Sequence, residues 1–282
     1  MGDGMTQAGS GRLPEFADPP VVEVALSVQF ESPVLTGPLL WRRWSQIEGE
    51  FPQVQEVPPI LSVIETFDEP SPRARPQVEV RVSDAPLPVR LWMITSAKTE
   101  LIQLQQDRFG YNWRKLRPDD EYPRYHSIRD KFSKQWTSFE QFVVASKLET
   151  IKPIQCEITY INHIKRAGVW KIHGEIEKVI PSATPQLTEG FLPSPEAVRF
   201  APKYIIPAAD GTPYGRLHVS VSPVYLTEGT EPIFFMDLTA RAAPQETTLD
   251  GILETLDMAH EWVVRGFATL TSSEMHLAWR RK

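Results

Sequence analysis

With a single cysteine, Cys156, the chain can form no internal disulfide, and the composition fits the reducing conditions of a cytoplasm. Cys156 sits in an apolar strand pattern, which makes it a small core residue rather than a nucleophile. Glycine is scarce, 15 residues against 26 prolines, and no Gly-x-Gly-x-x-Gly or Walker-type loop occurs, so a phosphate-cradling loop is a poor fit. No apolar run approaches the roughly 18 residues that span a bilayer, so no membrane partner is expected. A basic excess is also missing: the net charge is −6, which argues against nonspecific coating of nucleic acid. The six histidines show no His-x-x-x-His spacing and no Cys-x-x-Cys stands beside them, and a Gly-x-Ser-x-Gly elbow is lacking too. Neither a metal nor any other cofactor is expected.

What remains is ordinary in bulk, 41% hydrophobic and 23% charged, and long enough for two modest domains or one large one. The opening MGDGMTQAGSGRLPEFADPP lacks the pattern of a secretory signal and reads as a flexible leader over 1–18, with translation starting at Met1 or Met5. PPVVEVALSVQF then alternates Val22, Val24, Leu26, Val28 and Phe30 against Glu23, Ala25, Ser27 and Gln29, the period of a strand. GPLLWRRWSQIEGEFP predicts a short helix, and short strands are expected near 60–67, 77–83 and 89–95. Tyr125, Ile128, Phe132, Trp136, Phe139 and Val143 step by three and four and predict a long helix with one core face.

After Pro153 the order repeats. IQCEITYINHI is a strand in which Glu157 matches Glu23, VWKIHGEIEKVI a short helix, YGRLHVSVSPVYL and PIFFMDLTARA strands, and LDGILETLDMAHEWVVRGFATLTSS a long helix. The expected fold is therefore α+β, in two pseudo-repeated halves over 19–150 and 151–282. Each half would be a curved antiparallel sheet with a short helix and one long helix packed across it, saddle-like or helix-grip-like.

The stretch LIQLQQDRFGYNWRKL stands out. Alternation puts Phe109, Tyr111 and Trp113 on one face and Arg108, Asn112 and Arg114 on the other, with Gln103 and Gln105 sharing a face and Asp107 at a turn. Two readings are open: a sheet whose outer face is simply polar, or a binding surface in which amides and arginines read a polar ligand. Residues 98–134 hold nine lysines and arginines against six acids, so a nucleic acid or an acidic partner is possible there but not favoured over a solvated helix face. Glu23 and Glu157 are the one carboxylate pair that the repeat offers, either for acid–base work or paired to arginine.

Gln-x-Gln-x-Asp-Arg-Phe-x-x-Asn-Trp-Arg, followed by Tyr-Pro-Arg-Tyr and preceded by PPVVEVALSVQF, resembles a sporadically distributed prokaryotic family of uncharacterised proteins of similar length. The resemblance covers residues 19 to about 275 and carries no established activity or cofactor. It implies Gln103, Gln105, Asp107, Arg108, Asn112, Trp113, Arg114, Tyr122, Arg124 and Tyr125 as the candidate binding residues. The patchy occurrence of that family implies a component of a mobile defence or toxin–antitoxin type system. The expected function is a non-catalytic binding or interaction protein with an operon-encoded protein partner. The alternative is a small-molecule-binding or enzymatic domain with a pocket between sheet and long helix.

Overall fold

Val24, Leu26 and Val28 point to one side of their strand and Ala25 and Ser27 to the other, and this period of two runs through the whole structure. The computed structural model describes residues 11–31, 35–67, 89–184, 189–226 and 231–282. In chain order the elements are β1 (Val21–Phe30), α1 (Gly37–Ile47), β2 (Gln53–Val57), β3 (Arg90–Ile94), β4 (Glu100–Gln105), β5 (Arg108–Arg114) and α2 (Arg124–Ala145). They continue with β6 (Pro153–Ile164), β7 (Lys203–Pro207), β8 (Pro213–Tyr225), β9 (Pro232–Ala242), α3 (Leu249–Leu270) and α4 (Ser273–Ala278).

The nine strands form one antiparallel sheet in the order β2-β3-β4-β5-β1-β6-β9-β8-β7. The fold is thus α+β as expected, but the strands do not form a separate sheet for each half. β1 pairs with β6 from Val24 opposite Tyr160 to Gln29 opposite Gln155, which joins everything into a single surface. Open edges on β1 and β6 would have left two rows of unpaired N–H and C=O groups in mid-molecule. At the start of β1 a register shift between Val21 and Glu23 turns Val21, rather than the expected Val22, toward the core.

One face of the sheet carries the core. α2 lies over β5, and α3 lies over β6 and β9. The stripe expected on α2 is buried in full, and its rings interlock with strand rings: Phe109 stacks on Phe139 at 5.2 Å and meets Trp136 edge-on at 5.5 Å. On α3, Ile252, Leu256, Val263, Phe267 and Leu270 face the sheet, as their spacing predicts, and Thr248 caps the helix by accepting from the Gly251 N–H. Cys156 is fully buried in this core.

Several expectations shift in detail. The strand expected near 77–83 lies outside the described residues. Residues 60–67, expected as a strand, belong to no ladder; with 58 and 59 they cross the polar face of the sheet, tied to it at Ile60, Ser62 and Glu65. The short helix expected over 169–180 is a 3₁₀ turn at His173–Lys178. Of the leader expected over 1–18, Gly11 onward is described. There Phe16 is buried against Phe267 and Trp279, and the backbone of Ala17 and Asp18 bonds to Arg280 and Trp279.

Trp136 is completely buried among Phe30, Phe109, Phe132 and Phe139, so the site cannot collapse easily when the ring is removed. Trp136→Ala should destabilise the fold by about 3–5 kcal/mol in urea unfolding monitored by circular dichroism. A loss under about 1 kcal/mol would show that α2 does not anchor this half of the core.

Candidate functional site

The ten residues singled out in the sequence do not gather at one place. Gln103, Gln105, Arg108 and Asn112 line a cavity of about 140 Å³ on the polar face of the sheet. Tyr122, Arg124 and Tyr125 line a second cavity, of about 230 Å³, on the helix side. Trp113 belongs to the core on that side and packs on Tyr122 at 5.3 Å. Asp107 and Arg114 line neither cavity. Asp107 accepts from Gln105 Nε2 at 2.7 Å, and Arg114 donates to the Lys98 carbonyl at 2.9 Å.

The polar face explains the glutamines. The segment 58–67 crosses this face, and since it joins no ladder its backbone groups need other partners. Gln105 behaves like a peptide unit: its Oε1 accepts from the Ile60 N–H at 2.9 Å and its Nε2 donates to the Ile60 carbonyl at 3.0 Å. Gln155 repeats the motif, accepting from the Glu65 N–H at 2.9 Å and donating to the Val63 carbonyl. Between them Gln29 donates to the Ser62 hydroxyl. At the far end the Glu65 carboxylate bonds Arg216 and lies 2.5 Å from His218 Nε2 and 3.5 Å from Arg241. Burial alone would raise the Glu65 carboxyl, but the hydrogen bonds and charges of His218 and Arg216 outweigh it and hold it down to about 2.

Beside this strap a chain of hydrogen bonds runs across four strands, β3, β4, β5 and β1. Trp92 Nε1 and Arg90 Nη1 donate to Gln103 Oε1, Gln103 Nε2 donates to Asn112 Oδ1 at 2.8 Å, and Asn112 Nδ2 donates to Glu23 Oε1 at 2.5 Å. Burial raises the Glu23 carboxyl, against the Asn112 bond and the Arg114 charge. Glu157, the other member of the expected carboxylate pair, is bonded by Arg241.

The helix-side cavity is closed by α3 (His260, Val263, Val264, Phe267), by the start of α2, by β6 and β9 (Tyr160, Asn162, Leu238), and by the segment from Arg12 to Pro19. Its polar groups converge. Tyr122 Oη is 3.0 Å from Tyr160 Oη, which is 3.0 Å from His260 Nδ1, and the His260 ring lies flat on Tyr125 at 3.8 Å. Tyr125 donates to Asp257, which Arg129 grips through two bonds of 2.7 and 2.8 Å. Arg124 starts α2 with a left-handed φ of 68° and donates to the Phe16 carbonyl at 3.1 Å, at the cavity rim. Burial pushes the Tyr122 hydroxyl up to about 12, keeps Tyr160 well above the ordinary tyrosine value, and brings His260 down to about 4. At neutral pH these three groups are uncharged.

Tyr160, Asn162, Asp257 and His260 were not singled out in the sequence, nor were Gln29, Gln155 and Glu65 as tethers of the strap. The first set comes from two stretches of chain 100 residues apart, around Tyr160 and around His260, and carries no motif. Glutamines at alternate positions of β-branched strands were the one readable signal for the second. No protein-family model matches the chain, and no curated protein sequence matches it either.

His260 also sets a pH dependence. In the unfolded chain it takes a proton near pH 6.5, whereas in the fold, burial and the nearby His126 keep it neutral down to about pH 4. Between those values the unfolded state binds more protons, so stability should fall as pH drops from about 6.5 to about 4, by about 2–3 kcal/mol. His260→Phe should flatten that interval in urea titrations at several pH values. An unchanged slope would contradict the assignment.

Proposed function

We propose that this is a non-catalytic binding protein whose ligand is a small, largely apolar molecule held between the sheet and the two long helices. The observation that carries the reading is the helix-side cavity: about 230 Å³, walled by Leu238, Val263, Val264 and Phe267, with three uncharged polar groups converging at Tyr160. Apolar walls with a few convergent hydrogen-bonding groups are the usual form of a small-molecule site. A ligand with one hydroxyl or carbonyl group would meet the Tyr122–Tyr160–His260 chain, which can donate or accept by rotating a hydroxyl. Tyr160 stands 3.0 Å from His260 Nδ1, but burial holds its hydroxyl well above the ordinary tyrosine range, which favours hydrogen bonding to a ligand over nucleophilic attack.

This reading takes the sheet–helix pocket ahead of a surface for a protein partner. The residues expected to form that surface lie on opposite sides of the sheet, with Arg108 and Asn112 on one and Tyr122, Arg124 and Tyr125 on the other.

We infer further that the two halves arose by duplication. Each supplies a central strand, β1 or β6, that pairs with a neighbour, β5 or β9, through a Glu–Arg register pair: Glu23 with Arg114 and Glu157 with Arg241. Each also carries a helix of 22 residues after its strands, α2 or α3.

Methyl-labelled protein titrated with indole and with p-cresol, two neutral probes of suitable size, tests the binding reading by NMR. The methyls of Leu238 and Val263 should shift saturably, and Val264→Phe, which fills the cavity, should abolish the shifts while leaving the melting temperature near the wild-type value. Titrations that leave these methyls unmoved at millimolar probe would contradict it.

A further inference from the structure

The polar-face cavity holds two guanidinium groups that lack partners for part of their donor set. Arg108 is 5% exposed, donates Nη2–H to Gln29 Oε1 at 2.7 Å, and leaves Nε–H buried without a hydrogen bond. Its nearest carboxylate, Glu157, lies 3.7 Å away, beyond hydrogen-bond range, and is already bonded by Arg241. Arg90, across the cavity, donates Nη1–H to Gln103, and its Nε–H is likewise buried and unbonded. Each orphaned donor is costly in a protein interior. Two like charges share one cavity, and the Arg90 guanidinium is lowered by burial and then by the Arg108 charge.

The floor of the cavity is made of small residues. Gly110 lies between Ser27 on β1 and Gln103 on β4, and a Cβ there would meet only ordinary contacts, 3.5 Å to the Leu26 carbonyl and to Ser27 Cβ. Neither close packing nor a positive φ requires this glycine. A glycine inside a strand without a packing reason marks a place where a ligand can approach the backbone.

We propose that the cavity between Arg90 and Arg108 binds a small oxyanion, a carboxylate or phosphate group, whose oxygens accept the two unbonded Nε–H donors. An anion there would separate the two positive charges, and its oxygens match the donor geometry of guanidinium. The cavity lies on the opposite face from the helix-side pocket, so this site stands or falls separately from the proposed function.

The test is a thermal-melt and calorimetric titration of the full chain with inorganic phosphate and with acetate, each against chloride at equal ionic strength. A saturable rise in melting temperature is expected for at least one of them. Phosphate alone would assign a phosphoryl ligand, and acetate alone a carboxylate. Arg90→Gln should weaken binding at least tenfold. Because an arginine variant could also disturb the amide chain, Gly110→Val provides a second probe: it removes no donor, suits a strand, and should abolish the anion effect by filling the floor. If neither anion stabilises the wild-type chain more than chloride does, the donors are met by water and the proposal is overturned. Equal anion effects in wild type, Arg90→Gln and Gly110→Val would overturn it too, by placing the bound ion elsewhere.

Discussion

A nine-stranded sheet has two faces, and two long helices on one side can cover only one of them. Most other features of this molecule follow from that constraint. The covered face takes the aliphatic and aromatic half of the inner strands, from Val24 and Leu26 in the middle to Leu91 and Val221 further out. The uncovered face must carry polar side chains, since a second apolar surface of that size would demand a second layer. Part of it is roofed by residues 58–67, a segment with no strand beside it, and the peptide groups of that segment are met by side-chain amides instead of by a ladder.

The same division sorts the two cavities by chemistry. On the helix side, phenols and an imidazole are driven by burial into their uncharged forms, and the apolar walls set the character of whatever enters. On the open side, guanidinium, carboxylate and amide groups are tied into directed chains, and the donors left over belong to two arginines. Strand alternation is what allows neighbours in sequence, Arg108 and Phe109 or Asn112 and Trp113, to serve these different surfaces.

The sequence discloses the parts whose periodicity is strong. The alternation of β1 and β6 and the stripes on α2 and α3 are readable because each element has one face wholly in the core. β2 and β7 are missed: they lie at the two edges of the sheet and show no apolar alternation, β2 having no buried residue and β7 only one. The strap over 58–67 resembles a strand because its Ile, Leu and Val content is strand-like, yet Leu61 is 81% exposed and its partners are glutamines far away in the chain. The union of the halves into one sheet is a property of two edges meeting, which no local pattern encodes. Among candidate site residues, the polar set at 103–112 is legible as a group, whereas the ties of Tyr125 to Asp257 and of Tyr160 to His260 join residues 132 and 100 positions apart.

Side-chain amides, not strand pairing, hold the segment 58–67 across the polar face. Amide hydrogen exchange at single residues tests this most directly. Ile60 and Glu65, whose N–H groups donate to Gln105 and Gln155, should exchange far more slowly than their exposed neighbour Leu61, and Gln155→Ala should release Glu65 while leaving the core amides of β1 and β6 protected. Exchange of Ile60 and Glu65 at the rate of an unstructured peptide in the wild-type protein would contradict the account.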